Sequence, residues 1–497
     1  MTDLTRANKY EEENRIDKSE KPVFHVTPPV GWMNDPNGFS IFQGKIHLFY
    51  QYHPYRDTWG PMHWGHCVSE DFVKWKELPI ALAPDKDYDA AGCFSGSAIE
   101  TEDGHVLIYT GVMEKKGADG GKEVVQQQCM AIGDGIHYEK ADGNPVLPAE
   151  LLPDGFSRED FRDPKVWREE ETYYLVAGNR NGSQNGQVVL FASENLKDWR
   201  YVSVLAHNQG KYGKMWECPD FFSLGQNYIL VVSPQDMRAD GAEFHNGNQA
   251  AALIGEYDRQ TYHLREEQVV SLDYGTDFYA PQTLETEDGR RIMIAWMQSW
   301  DMNIKPAEQR WNGMMTIPRQ LELRNHVLYQ YPVKELDRYR TEPVVYKDKE
   351  ISGRCQIPGV RGRVLDLTVE LQGGDYREFT VSFAGNEEYH TSFRYVRATQ
   401  CIEFDRTFSG MERDAVCQRS MKIKNAGETL KLRLLLDKFS VELFVNDGVQ
   451  TFTSTFYTPL DAQDIVFVCD KRARVNIEKY NIILDGEEEG GDLFERV

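Results

Sequence analysis

Four aromatic residues recur at a nearly constant interval and limit the folds open to this chain. VSEDFVKWKELPIAL around Trp75 resembles ASENLKDWRYVSVL around Trp199. GDGIHYEKADGNPVL around Tyr138 and GEYDRQTYHLREEQVV around Tyr262 follow the same plan of turn, aromatic and strand. The intervals are 63, 61 and 63 residues. Between these marks lie short runs rich in Val, Ile, Tyr and Phe, such as KIHLFYQY, HVLIYTG, QVVLFAS and RRIMIAW, bounded by Gly, Asp, Asn and Pro. Such runs read as strands. A period near 62 accommodates one four-stranded propeller blade with its loops. Val23 to Pro332 is 310 residues, room for five periods.

The fold class expected is therefore all-β, a five-bladed propeller followed by a β-sandwich. Residues 1–22 read as a charged, helical leader and 23–335 as the propeller. The polar stretch 336–349 reads as a linker, and 350–497 as a sandwich with an acidic tail. Asn446-Asp447-Gly448 is a hairpin turn signal in that second half.

Charge excludes several functions. The 497 residues hold 56 Lys and Arg against 79 Asp and Glu, a formal charge of −23. Nucleic acids and anionic membrane surfaces both reward positive charge, so neither is expected as a partner. No apolar run approaches the roughly 18 residues that a membrane-spanning helix needs. The first twenty residues lack the apolar segment of a signal peptide, so a cytoplasmic location is expected. Eight scattered cysteines form no C-x-x-C pair and read as free thiols. His63 and His66 stand three apart with no third ligand nearby, so no metal is expected.

Three carboxylates sit in unusual settings. Asp35 lies in Gly31-Trp32-Met33-Asn34-Asp35-Pro36-Asn37-Gly38, where Pro36 favours an extended Asp35 and Trp32 stands close by. Asp163 follows Arg162 and precedes Pro164; the guanidinium would favour its charged form. Glu217 lies between Trp216 and Cys218, whose apolar surroundings would hold a carboxyl protonated and fit it to act as an acid. Each falls in a different expected blade, and inner strands of a propeller converge on its axis. A nucleophilic carboxylate facing an acidic one is the machinery of retaining glycoside hydrolysis. Trp59, Trp64, Trp296 and Trp300 offer flat faces for sugar rings, and Asn34, Gln51 and Ser95 offer neutral hydrogen-bonding groups.

Seven motifs stand in order: WMNDPNG (32–38), FYQYHP (49–54), WGPMHWGH (59–66), CFSGSA (93–98), FRDPKVW (161–167), WECPDFF (216–222) and FYAPQT (278–283). With SVELFVNDG at 440–448, they make the chain similar to glycoside hydrolase family 32 over nearly its whole length. That family contains invertases, sucrose-6-phosphate hydrolases, fructanases and some fructosyltransferases. The resemblance implies a β-fructofuranosidase of invertase type, with no cofactor and a small sugar as its partner. It implies that Asp35 is the nucleophile, Glu217 the acid/base, and Asp163 the residue that binds fructose hydroxyls and stabilises the transition state. It implies sugar-binding roles for Gln51, Trp59, Phe94, Ser95 and Arg162, with Trp32 and Asn34 beside the nucleophile, and more weakly for Tyr279 and Trp300.

Transfer of the fructosyl group to water or to another sugar stays open, as does a sugar-binding protein without catalysis. A phosphorylated substrate would need local positive charge, for which Lys211, Lys214, Arg310 and Arg319 are candidates. Glu442 in the last motif reads as a structural carboxylate. The sequence leaves the oligomeric state undetermined.

Overall fold

Each recurring aromatic begins or immediately precedes the outermost strand of a sheet in the computed structural model, which describes residues 2–116, 120–424, 427 and 429–484. Trp75 begins Trp75–Leu82 and Tyr138 begins Tyr138–Lys140. Trp199 precedes Arg200–His207, and Tyr262 precedes His263–Ser271. The turn explains why the text repeats. Asp71 Oδ1 accepts the N–H groups of Val73 and Lys74, and Asn195 Oδ1 accepts those of Lys197 and Asp198. Each of these side chains folds the chain back on itself. The indole N–H then closes the turn, from Trp75 to the Phe72 carbonyl and from Trp199 to that of Leu196, both at 3.0 Å.

Five antiparallel sheets result, with inner strands Gly31–Phe42, Gly92–Thr101, Phe161–Glu169, Met215–Leu224 and Tyr279–Glu285. These are the five blades of a propeller. The fifth departs from the period. Its second and third strands, Arg291–Trp296 and Arg319–Arg324, are joined by a long connection. Part of that connection, Trp311–Asn312, pairs in parallel with Gly31 and Trp32. The last blade is thereby stitched to the first, and no recurring aromatic marks its outer strand, Val327–Pro332.

Residues 336–349, expected as linker, are instead ordered structure. A 3₁₀ turn at Lys334–Tyr339 runs directly into the strand Arg340–Cys355. That strand pairs with the final strand Asp464–Ile482 along its whole length. It is polar because it is an edge with much of its surface in solvent. The ribbon of these two strands crosses both layers of a sandwich. Residues 464–469 pair with Glu378–Gly385 in one layer, and residues 473–481 with Leu365–Gly374 in the other. The layers interdigitate, as where the rings of Phe393 and Phe452 lie 5.3 Å apart, edge to face. In the leader, a helix spans Asp3–Asn14, with the Thr2 side chain accepting the Thr5 N–H. The acidic tail from residue 485 onward lies outside the described residues. No helix among the described residues is long and apolar enough to cross a membrane.

Propeller and sandwich meet over buried charge. Glu442 accepts hydrogen bonds from the Ile317 N–H at 2.8 Å and the Arg319 Nε at 3.0 Å, and faces His25 Nε2 at 2.9 Å. Asp437 meets the other ring nitrogen of His25 at 2.9 Å. Burial opposes charge on His25, but hydrogen bonds to Asp437 and Glu442 outweigh it and raise its pKa to about 9.

Burial acts oppositely on His47, His53, His63, His66, His105 and His245. Burial lowers both His47 and His63 to about 4, from an ordinary 6.5. The unfolded chain then takes up protons below 6.5 while these folded side chains stay neutral. Their stabilising contribution is complete above pH 6.5 and is lost as pH falls toward 4, at about 1.4 kcal/mol per pH unit for each. Thermal melts should accordingly show Tm dropping steeply between pH 6.5 and 4. Asp163, raised to about 7, offsets part of this drop, so His63→Gln is the check: an unchanged slope in that variant would contradict the neutral burial of the ring.

Candidate active site

The inner strands share one irregularity. Their pairing slips at Met33/Pro36, Phe94/Gly96, Glu217/Asp220 and Tyr279/Gln282, and in the third blade opposite Val176/Gly178. These slips are β-bulges, which re-aim side chains beside functional sites. Four of the five contain an X-Pro pair: Asp35-Pro36, Asp163-Pro164, Cys218-Pro219 and Ala280-Pro281. The second has Ser95-Gly96. A bulge leaves a residue out of the ladder, so the missing proline N–H is tolerated there. Asp163, Cys218 and Ala280 adopt φ of 63°, 48° and 52°. A residue before proline disfavours such a conformation, so the surrounding sheet holds these positions under strain.

The five bulges aim their residues into one region near the axis. Asp35 accepts from Ser95 Oγ at 2.7 Å and from Asn34 Nδ2 at 3.0 Å. Asp163 Oδ2 accepts from the Cys218 N–H at 2.9 Å. The Cys218 sulfur lies 3.5 Å from Asp35 Oδ2 and 3.6 Å from Asp163 Oδ2, between the two carboxylates. Glu217 Oε1 accepts from Arg162 Nε at 2.9 Å, and Oε2 from the Tyr279 hydroxyl at 2.6 Å. The carboxylates open into a cavity of about 360 Å³ together with Asn34, Gln51, Trp59, Phe94, Ser95, Arg162 and Trp300.

Two expected sugar-binding residues sit behind this wall. Trp32 is buried beneath it, its indole N–H donating to Asn34 Oδ1 at 2.7 Å and its ring stacked 6.4 Å from Trp300. Tyr279 is fully buried and reaches the cavity only through Glu217. Both act on residues that line the site and do not line it themselves. At the mouth, Trp59 is 49% exposed and meets Phe94 edge to face at 5.9 Å. That exposed ring presents a flat apolar face at the mouth.

Electrostatics alter one expectation. Burial and the charge of Glu217 push Asp35 above the usual carboxylate range. Burial, then Glu217, lift Asp163 to about 7, although Arg162 pulls the other way. Three carboxyls in one buried pocket cannot all ionise cheaply. Asp35 and Asp163 therefore hold protons above the usual carboxylate range. The sequence placed a proton on Glu217 through its apolar neighbours. In the structure Glu217 faces two donors, Arg162 and Tyr279, while Asp35 and Asp163 carry the upward shifts.

None of the four candidate phosphate ligands lines the cavity. Arg319 is fully buried against Glu442 and Asp273 in the domain interface. Lys214 pairs with Asp236 in solvent, and Lys211 and Arg310 are exposed. His63 and His66 are also engaged elsewhere, with the Pro61 carbonyl and with His47. Gln126, Glu159, Asp160 and Gln235 line the cavity without having been expected there. Cys218 was read only as an apolar neighbour of Glu217. The recurrent X-Pro pair is the signal that would have placed it at the axis.

A carboxylate trio with an arginine at the hub of a five-bladed propeller defines the class as a glycoside hydrolase. Comparison makes this specific. The model of the glycosyl hydrolases family 32 N-terminal domain matches residues 25–332, and that of the family's C-terminal domain matches 335–483. The chain belongs to glycoside hydrolase family 32. It is 36% identical over 446 residues to a sucrose-6-phosphate hydrolase of Escherichia coli, covering 89% of this chain and 91% of the relative. It is 37% identical over 448 residues to a raffinose invertase of Escherichia coli, with the same coverage. Among solved structures, a family 32 beta-fructofuranosidase of Bombyx mori superposes with a TM-score of 0.84 at 32% identity, covering 96% of this chain and 98% of that one.

Proposed function

We propose that the cavity hydrolyses terminal β-D-fructofuranosides with retention of configuration, through a covalent fructosyl-enzyme. The convergence of Asp35, Asp163 and Glu217 from three blades into one cavity supports this reading. Asp35 attacks the anomeric carbon as the bond to the leaving oxygen breaks. Glu217 delivers a proton to that oxygen. A water then replaces the leaving group, gives its proton to Glu217 and displaces Asp35. Asp163, held by the Cys218 N–H, faces the positive oxocarbenium-like centre and binds fructose hydroxyls. Proton NMR of the first product should show β-fructofuranose before mutarotation; initial release of the α anomer would rule out retention.

The substrate is an unphosphorylated fructoside such as sucrose, which is the ligand of a mutant of the Bombyx mori relative. Asp35, Glu159, Asp160, Asp163 and Glu217 line the cavity against one arginine, Arg162, which Asp160 and Glu217 already engage. A phosphate dianion would meet net negative charge there. We expect kcat/KM for sucrose to exceed that for its 6-phosphate at least tenfold, the factor produced by about 1.4 kcal/mol of repulsion.

One observation favours a second reading. Val124 and Gln126 line the cavity, and Lys122 lies on the same strand face two residues before Val124. Lys116 is directly opposite Lys122. A 6-phosphate on the leaving sugar would find these lysines at the rim. If the phosphate ester proves the better substrate, Lys122→Gln should remove that preference and leave sucrose turnover in place.

A further inference from the structure

Arg162 does not face Glu217 alone. Its Nη1 donates to Asp160 Oδ1 at 3.0 Å and to Gln126 Oε1 at 3.2 Å, while its Nε and Nη2 hold Glu217 at 2.9 Å. Asp160 is itself held from the other side. Arg180 Nε donates to its Oδ2 at 2.6 Å, and Ser157 Oγ to the same oxygen at 3.1 Å. The charges thus alternate in a chain: Arg180, Asp160, Arg162, Glu217. Asp160 and Arg162 are buried, and Arg180 is partly exposed. Arg162 must divide its charge between two carboxylates.

We propose that Asp160 is a positioning residue for the acid/base step: it draws off part of the Arg162 charge and so sets the pH above which Glu217 can no longer supply a proton. This rests on the role assigned to Glu217 above. The other groups facing Glu217 are the Tyr279 hydroxyl, the Cys218 thiol, and the carboxyls of Asp35 and Asp163. Among the described residues the side chains that donate to Asp160 are Ser157, Arg162 and Arg180, so a change at Asp160 reaches Glu217 by way of Arg162.

The proposal makes a prediction in two opposite directions. In Asp160→Asn the guanidinium turns its undivided charge on Glu217 and favours the ionised carboxylate. The alkaline limb of the kcat/KM profile should move down by about one pH unit, a tenfold loss of activity above that limb. In Arg180→Gln, Asp160 loses its other cation and competes harder for Arg162. The alkaline limb should move up, by a smaller amount. A merely structural Asp160 would scale activity equally at every pH and give no opposed pair of shifts.

The test is the pH profile of kcat/KM on sucrose for the full chain and its two variants, with Glu217→Gln as a control. Glu217→Gln is assayed on an aryl β-fructofuranoside, whose leaving group needs no proton. Limbs displaced in opposite directions support the proposal. Unmoved limbs, or limbs that move the same way, overturn it. If Glu217→Gln keeps the alkaline limb, Glu217 is not the group titrating, and the assignment of the acid/base fails first. Arg180 is partly exposed, so its variant still decides the matter if Asp160→Asn does not fold.

Discussion

Asp35→Asn should cut kcat on sucrose by at least about 10³-fold while the protein stays folded. The amide is nearly isosteric and keeps an oxygen to accept the 2.7 Å hydrogen bond from Ser95. It cannot form the ester bond to the anomeric carbon, and it removes a negative charge from the oxocarbenium-like centre. Both effects act only as the transition state forms, so KM should change far less than kcat. The stability effect has a definite sign. Burial and the neighbouring charge of Glu217 hold Asp35 above the usual carboxylate range, so its ionised form costs the folded state free energy. The neutral amide removes that cost, and Tm should stay level or rise. A variant that turns over sucrose at near-normal rate would exclude Asp35 as the nucleophile. A variant that loses activity together with Tm would report damage to the fold.

The carboxylates proposed for catalysis were legible because the bulges that aim them leave a mark in the text. Asp35 and Asp163 each precede a proline, and a proline within a strand needs a place where no ladder hydrogen bond is required. Ala280 and Cys218 carry the same mark and were passed over, since neither residue type suggests chemistry. The repeat was legible for a related reason. One side chain at Asp71 or Asn195 and one indole build the same turn before two of the outer strands, Trp75–Leu82 and Arg200–His207. What remained hidden depends on approach between elements. Nothing local to Asp160 tells that Arg180 and Arg162 flank it, and nothing local to Glu217 tells that Tyr279 and Arg162 donate to it. The stretch before Cys355 looked like a linker because a solvated edge strand alternates weakly and carries charge. Arg319 looked like a surface cation, since no sequence pattern distinguishes an exposed arginine from one buried between domains.

That buried arginine carries the largest expected effect on stability. Arg319 donates from Nη1 to Asp273 Oδ2 at 3.0 Å, from Nε to Glu442 Oε2 at 3.0 Å, and from Nη2 to Thr453 at 2.6 Å. Its guanidinium also lies over the rings of Phe278 and Phe444, at 5.0 and 5.2 Å. Asp273 comes from the propeller side and Glu442 from the sandwich, so one cation neutralises an acid from each domain. Arg319→Met fills much of the same volume but leaves Glu442 with only His25 and the Ile317 N–H, and removes the guanidinium from Asp273. Stranding a buried charge in this way costs about 3–5 kcal/mol. In a chain of this size that corresponds to a Tm lower by roughly 3–5 °C. Arg319→Lys should fall between, since it keeps the charge and loses the fork that serves both carboxylates. Arg394→Met supplies the contrast: its partners Glu378 and Glu403 are solvent-exposed, and their loss should cost under about 1 kcal/mol. Differential scanning calorimetry of the three variants would test the ranking. Because the lost contacts join the two domains, the Arg319→Met melt should also broaden or split as propeller and sandwich unfold less cooperatively. A single sharp transition within a degree of the unsubstituted protein would show that the interface does not depend on this arginine.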